Sequence, residues 1–534
     1  MSLPVYSTSQ IADQLVHGYW HAKNGGDWRA FDVSPGATID VNITGLNTIG
    51  KTLARASLEA WENVIDVQFN EVSVGGDITF DHNSNWAVGG HTYSGNTIIS
   101  AFVRITTGWF NSNHGTEIGS YSMQTFMHEI GHALGLGHAG NYNGSASFGT
   151  DNHYANESWQ MSLMSYFDQE ENDFIVADRA FTATLMPADI VAAQSLYGAS
   201  KAQIGDTIYG LNSNVGGALE DIFDAAFKAG TPNTVNAFTI FDAGGIDLLN
   251  VSAETADQNI DLTPGAISDI GGLIGNLIID ENTLIEWAYG GAGDDTIIGN
   301  MVDNRLNGED GNDHLLGKDG DDRLWSNGGS DTVDGGAGAD RIKGGSGNDT
   351  LNGGADDDRI RGGGGDDRIR AEGGDDHVWG GEGEDVVYGG TDDDLLRGQK
   401  GDDRLWGESG HDRLNGGDGD DVLGGGIGND RLLGEAGQDE LDGGDGDDRL
   451  TGGADADVFI FDDGADEITD FEDDVDTVWL DQSLWNSTLT IRQVIDTYAS
   501  SDGATTRLDF QNGSTLELIG LADPDLLLDD ISFF

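Results

Sequence analysis

Residues 290–460 carry one pattern that leaves few choices of fold. Stepping by nine from Asp295 to Asp457 meets 19 positions, of which 18 are Asp and one, Asn304, is not. Two residues after each position the side chain is apolar in all 19 cases, from Ile297 to Phe459. Five residues before, 17 of the 19 are Gly, with Ser326 and Ala371 the exceptions. The repeat reads G-G-x-G-x-D-x-U-x, with U apolar, and no insertion breaks its phase. A disordered Gly/Asp tract has no reason to keep phase over such a length. The pattern predicts a parallel β-roll: GGxGxD turns, short xUx strands, two nonapeptides to a coil, and the U side chains packed inward as a thin apolar core.

Stacked coils are about 4.8 Å apart, so the Asp carboxylates stack at that spacing too. At an effective dielectric of about 20, neighbouring carboxylates repel by about 3.5 kcal/mol per pair. The column therefore calls for cations between the turns, and hard oxygen ligands select Ca²⁺. The candidate ligands are Asp295, Asp313, Asp322, Asp331, Asp340, Asp349, Asp358, Asp367, Asp376, Asp385, Asp394, Asp403, Asp412, Asp421, Asp430, Asp439, Asp448 and Asp457. The residue after each column position is Arg in 9 of 19 units, Arg305, Arg323, Arg341 and Arg359 among them. Those side chains should point outward and form a solvated face that softens the negative field.

The remaining sequence has to supply other domains, since 534 residues exceed one core. Asp and Glu outnumber Lys and Arg 95 to 25, a formal charge of −70. Such a chain repels nucleic acid and anionic membranes, and neither is expected as a partner. There is no Cys, which excludes disulfides and thiolate zinc sites. The stretch MSLPVYSTSQIADQL has neither a basic n-region nor an apolar h-region, so no conventional signal peptide is expected. No apolar run approaches the roughly 18 residues of a membrane span.

Before residue 200 the periodicities mix. KTLARASLEAWENVID (51–66) sets Leu53, Ala56, Ala60, Trp61 and Val64 on one helical face. Strands are predicted within 75–83 and 97–105, and a helix over 187–198 that opens on Pro187 and closes on Gly198. Residues 200–288 alternate β-like runs with Gly and Asp turns and read as connecting strands. Beyond Phe459, Leu508, Phe510, Leu516 and Leu518 alternate around Asn512-Gly513, a hairpin signal within a segment suited to cap a solenoid.

The chemistry concentrates in HEIGHALGLGH, residues 128–138. In a helix, His128 and His132 lie on one face. Gly135 lets the chain turn, so that His138 approaches from a new direction. Three neutral imidazoles leave a coordination position open, the catalytic form of a Zn²⁺ site. Glu129 sits beside the first ligand, where a carboxylate can take the proton of a water attacking a carbonyl. The other nine histidines show no ligand spacing. In SLMSYF (162–167), Met164 reads as an apolar floor beneath the metal, and the Tyr166 phenol as able to reach either the ion or a substrate oxyanion.

QIADQLVHGYW, HEIGHALGLGH, SLMSYF, PADIVAAQSLYG, FDAGGIDLLNVS, the nonapeptides and DEITDFEDDVDTVWL resemble, in order, segments of the serralysins, bacterial zinc endopeptidases of the metzincin group with a calcium-binding RTX roll. The resemblance implies an α+β metzincin catalytic domain over 1–199, a connecting β segment over 200–288 that starts the C-terminal domain, an all-β parallel β-roll over 289–460, and a β-rich cap over 461–534 holding a type I secretion signal. By the same resemblance His128, His132 and His138 are zinc ligands, Glu129 is the general base, and Tyr166 is a further ligand that swings away to stabilise the oxyanion. A calcium site at the domain junction would use Gly205, Thr207, Asp242, Gly244 and Asp247, with Glu286 serving the next. One catalytic Zn²⁺ and several structural Ca²⁺ are expected. So is a secreted, extracellular monomer that leaves through type I machinery and cuts protein and peptide substrates broadly. An edge strand within 86–105 would pair with an extended substrate.

Three details depart from the family pattern. Ala139 follows the third histidine where serralysins usually have Pro, the array is longer, and Ser532 interrupts the apolar C-terminus LDDISFF. Two other readings stay open: a calcium-dependent surface or adhesion protein without catalysis, against which the intact Glu129 and Tyr166 argue, and a peptidase narrow for one target.

Overall fold

A computed structural model of the chain describes residues 3–24, 26–111, 113–142, 145–172, 177–227, 236–485 and 488–534. They form two compact units, Met1–Gly293 and Asp294–Phe534.

The first unit is α+β. Its five-stranded sheet has the order Val67–Glu71, Ala37–Gly45, Ile78–Asp81, Thr97–Arg104, Val88–Ser94. Neighbours are parallel except the last strand, which runs antiparallel and forms an edge. The first long helix is Thr48–Glu62, displaced toward the N-terminus from the predicted span because the Asn47 side chain accepts the Gly50 N–H and fixes the start. Val64 lies beyond the helix yet is buried. Leu53, Ala56, Ala60 and Trp61 form the buried face. The Trp61 indole N–H donates to Met127 O at 3.2 Å and the Ser57 hydroxyl to Met123 O at 3.3 Å. These bonds seat that helix against Tyr121–Ala133, the helix that carries the first two histidines. Pro187–Tyr197 is helical and ends at Gly198, φ +79°. Residues 200–288 hold the expected short strands, among them Asn236–Ile240, Leu248–Asn250 and Leu277–Ile279. They also hold a helix, Gly217–Ala226. Leu219, Ile222, Phe223 and Ala226 recur at helical spacing, a signal outweighed in the sequence by the surrounding β-like runs.

The second unit is a parallel β-solenoid. From Arg305–Asp310 to Arg449–Ala454 each nonapeptide makes a six-residue strand, longer than xUx because pairing continues beyond it, as at Lys318 opposite Gly336 and Asp319 opposite Ala337. Every strand pairs in parallel with the one 18 residues on: Leu306 opposite Leu324, Leu315 opposite Val333. Successive strands therefore alternate between two faces. All 19 U side chains lie between those faces, 2% exposed or less. The fifth position of each strand has positive φ, held by Gly in many coils and by residues such as Glu309, Lys318 and Glu372 in others. At Gly336 (φ +109°) an added Cβ would sit 2.0 Å from Lys318 O.

After Phe461 the pattern dissolves into a cap. Thr477–Leu480 pairs with Val458–Phe461 and with Ile531–Phe533. The hairpin is Thr505–Asp509 with Thr515–Ile519, Leu508 opposite Leu516. A helix, Ile491–Tyr498, joins the strands, and the rings of Phe461, Trp485, Tyr498 and Phe510 cluster beneath.

Candidate metal centre

His128 and His132 project from one face of Tyr121–Ala133. The chain leaves the helix at Gly135, φ +106°, where a Cβ would lie 2.0 Å from Arg29 O. Only glycine turns the backbone there. The turn returns His138, so that His132 Nε2 and His138 Nε2 are 3.0 Å apart, and one ring nitrogen from each of the three histidines lies within 4.8 Å of the others. Each Nδ1 faces a backbone carbonyl: Leu163 O at 2.8 Å from His128, Leu136 O at 2.9 Å from His132, Tyr142 O at 3.0 Å from His138. A carbonyl only accepts, so each Nδ1 carries the proton and each Nε2 presents a lone pair. Burial lowers the pKa of all three, His132 to about 3 and His138 well below the usual imidazole range. Neutral imidazoles with lone pairs facing at this distance need a cation between them. Three nitrogen donors, each oriented by a carbonyl behind it, fit Zn²⁺.

Glu129 is 7% exposed. Burial raises its pKa to about 7 against a hydrogen bond from the Gly89 N–H. That bond joins the helix to the edge strand Val88–Ser94, and a Cβ at Gly89 would lie 2.1 Å from Glu129 O. His91, on the same strand, places Nδ1 2.9 Å from His132 O. Met164 is fully buried, and its sulfur lies 2.8 Å from where a Cβ on Gly131 would be. The small residue inside HEIGH is thus what lets Met164 reach the helix. The Tyr166 ring is 4.6 Å from that of His138 and 6.1 Å from that of His128, centre to centre. His128, Glu129 and Tyr166 border a cavity of about 680 Å³ with Trp86, Trp109 and Tyr121.

Three supporting residues are not among those the sequence nominates. Asp189, in the first turn of Pro187–Tyr197, accepts the Ser162 hydroxyl at 2.7 Å, Leu163 N–H at 2.8 Å and Met186 N–H at 3.1 Å. It thereby holds the turn whose Leu163 carbonyl orients His128. Burial raises its pKa to about 7. Tyr142 donates its hydroxyl to Glu157 and accepts the Tyr166 N–H at 3.2 Å, while its carbonyl orients His138. An acid three residues into a helix opened by Pro is a readable signal for Asp189; nothing local marks Tyr142 or Glu157.

The six residues nominated between 205 and 286 form one network. The Thr207 hydroxyl donates to Gly205 O at 2.9 Å, Thr207 N–H to Asp247 Oδ1 at 2.8 Å, Asp247 N–H to Glu286 Oε2 at 2.8 Å, and Gly244 N–H to Asp242 Oδ1 at 2.8 Å. Asp247 Oδ2 is covered and has no partner. Burial, with the charges of Asp242 and Glu286, raises the Asp247 pKa to about 7. The set is oxygen-rich and under-neutralised, and it fits a hard cation.

In the solenoid all 18 column aspartates are buried. Each Oδ1 from Asp313 to Asp457, except that Asn304 donates to Asp322, accepts the N–H of the aspartate one coil earlier, as in Asp295 N–H to Asp313 Oδ1 at 2.8 Å and Asp439 N–H to Asp457 Oδ1 at 3.0 Å. The second oxygen is covered and without a partner in every one from Asp313 to Asp448. Burial raises these carboxyls, and neighbouring carboxylates add to it; Asp322, Asp358, Asp394 and Asp421 reach about 8. These orphaned oxygens are what a column of bound cations would satisfy.

The family model described as Peptidase M10 serralysin C terminal matches residues 199–524, and the Matrixin model matches 69–146, the stretch that contains all three histidines. Metallopeptidase AprA of Pseudomonas marginalis is 32% identical over 331 residues, covering 56% of this chain and 67% of that one. Serralysin of Proteus mirabilis is 36% identical over 290 residues, 49% of this chain and 56% of the relative. The solved structure of myroilysin is 18% identical with a TM-score of 0.21, over 31% of this chain and 94% of that one.

Proposed function

Since the chain belongs to the serralysin-type zinc metalloendopeptidases of family M10, we propose that its histidine centre hydrolyses internal peptide bonds of unfolded proteins broadly, with Glu129 as general base. The observation that carries this reading is the convergence of three neutral imidazoles on one point beside a buried carboxylate at the wall of a cavity. Zn²⁺ held by His128, His132 and His138 would supply Lewis acidity to the scissile carbonyl and to water. Glu129 takes the proton of the attacking water and delivers it to the leaving amine. The hydrogen bond from the Gly89 N–H holds its carboxylate in place for both transfers. Tyr166 gives a phenol hydrogen bond to the oxyanion. The antiparallel edge Val88–Ser94 offers backbone groups to an extended substrate, which accounts for broad rather than side-chain-specific recognition. Met164 keeps the underside of the centre dry.

Calcium would fill the 205–286 network and the aspartate column. A protein whose second half depends on calcium suits export unfolded through type I machinery and folding outside the cell. Casein digestion by protein loaded with Ca²⁺ and Zn²⁺ tests the reading. The parent should cut casein, and Glu129→Ala, still zinc-bound, should lose about 10²–10⁴-fold in rate. A folded, zinc-bound parent that leaves casein intact would sink broad proteolysis.

A further inference from the structure

The solenoid faces are not alike. On the face built from Arg323–Gly328, Arg341–Ser346, Arg359–Gly364, His377–Glu382 and Leu395–Lys400, the first and third residues of each strand point outward between buried neighbours. Those positions hold Arg323, Arg341, Lys343, Arg359, Arg361 and Arg397, with Trp325, His377, Trp379 and Leu395, and no acid. Acids outnumber bases 95 to 25 in this chain, so a patch of six cations without a carboxylate is far from its average surface. Pairing stacks like on like: Arg323 opposite Arg341, Arg341 opposite Arg359, Lys343 opposite Arg361. Arg341, Lys343, Arg359 and Arg361 are exposed, and none of the six makes an ion pair within 4.0 Å among the described residues. The acids next to these arginines in sequence, Asp322, Asp340 and Asp358, are buried in the aspartate column; of the exposed acids along that margin, Asp321 and Asp357 each have an oxygen held by the backbone of the next coil, at Ala339 N–H and Asp375 N–H. Glu382, at the far end of its strand, is paired with Lys400 at 2.6 Å.

A column of like charges one coil apart costs stability unless counter-charge sits on it, the same physics that calls for cations at the aspartates. Here the missing counter-charge is negative. Its shape follows from the patch. It is flat, extends over successive coils, and repeats at about 4.8 Å, the strand spacing. One face of Trp325 is covered by Arg305, 4.5 Å from the ring centre, and one face of Trp379 by Arg361, 4.9 Å away. The indoles thus serve the arginines, as cation–π supports, before they can serve as stacking platforms for bases. A carboxylated glycan carries one charge per sugar, a spacing of the order of the coil step, and needs no base-stacking surface. We infer that this face, centred on Arg341, Lys343, Arg359 and Arg361, is a binding site for a linear anionic polysaccharide laid along the stack of coils. The overall charge does not forbid it, because screening at physiological salt confines the chain's other charges to roughly 8 Å.

The test uses the full, calcium-loaded protein and a fluorescent oligogalacturonate short enough not to gel. Binding should be measurable at low salt and weaken at least about tenfold between about 50 and about 200 mM NaCl. Combining Arg341→Gln, Lys343→Gln, Arg359→Gln and Arg361→Gln should weaken it at least about tenfold with the calcium-dependent fold intact by circular dichroism. Arg368→Gln with Arg404→Gln, on the other face, should leave it unchanged. Replacing the three arginines by Lys should retain most of the affinity. Equal binding by parent and quadruple variant, as calcium bridging to the aspartates would produce, overturns the proposal. So does absence of binding, or tighter binding of oligo-dT or of phosphatidylglycerol vesicles, which would make the partner a nucleic acid or a membrane.

Discussion

Tyr142 carries more of the candidate centre than its place in an irregular loop suggests. One backbone carbonyl orients the third histidine, and one hydroxyl joins Tyr166 to the buried Glu157. Tyr142→Phe keeps the carbonyl and removes the hydroxyl. It leaves Glu157, whose pKa burial raises to about 7, short of a partner, and this should cost about 1–3 kcal/mol. Denaturant titration would read that loss, and zinc stoichiometry should stay at one because the orienting carbonyl remains. An unchanged stability would show that the pair holds nothing. The histidines are legible in the sequence because a helix converts spacing into direction: four residues apart, His128 and His132 must share a face. Met164 is legible only in company with them. Tyr142 and Glu157 are not, because loop geometry brings them together and no periodicity records it. Nor does the sequence show why Gly89 is needed, since its importance lies in what a side chain would strike rather than in any group it bears.

Elements show the same division. The helix over Thr48–Glu62 is visible in its apolar face but not at its ends, since Asn47 caps it through a single side-chain bond that periodicity does not register. Gly217–Ala226 is hidden because its helical spacing is short and lies among β-like runs. The approach of strand Val88–Ser94 to the histidine helix is the element contact with the clearest consequence. Gly89→Ala must push the strand off Glu129 O, an overpacking worth about 1–3 kcal/mol. It should lower kcat/KM on an extended peptide while zinc remains bound; steady-state kinetics beside metal analysis would check it. In the solenoid the unit of exchange is two strands. Deleting residues 386–403 removes one strand from each face and keeps every later strand on its own face. Deleting 395–403 alone sends every later strand, and the cap segments paired to them, to the opposite face. The longer deletion should melt within a few degrees of the parent and the shorter well below it, by calorimetry in calcium.

At the scale of the molecule, the aspartate column links stability to protons and, under the proposed calcium occupancy, to calcium. Its carboxyls bind protons more tightly folded than unfolded, with folded values of about 6 to about 8 where burial is strongest. The folded chain therefore holds extra protons between the ordinary Asp pKa of about 3.9 and about 8, and its stability falls as pH rises through that window. Metal-free protein should melt higher at pH 5 than at pH 8. Millimolar Ca²⁺, competing for the same oxygens, should remove most of the difference. A metal-free midpoint that rises with pH would contradict this assignment of charge.

Each of those aspartates touches the backbone of the preceding coil, so no rung belongs to one coil alone. Under the proposed calcium occupancy, filling one site would make the next easier to fill, and emptying one would loosen its neighbour, as in any chain of units coupled only to those beside them. In such a chain, length sets sharpness. A short array loosens gradually as calcium is withdrawn, whereas a long one changes over a narrow interval of concentration. The many coils of this roll would thus make its folding, if driven by calcium as proposed, an abrupt function of its surroundings, a threshold whose steepness is written in the number of repeats.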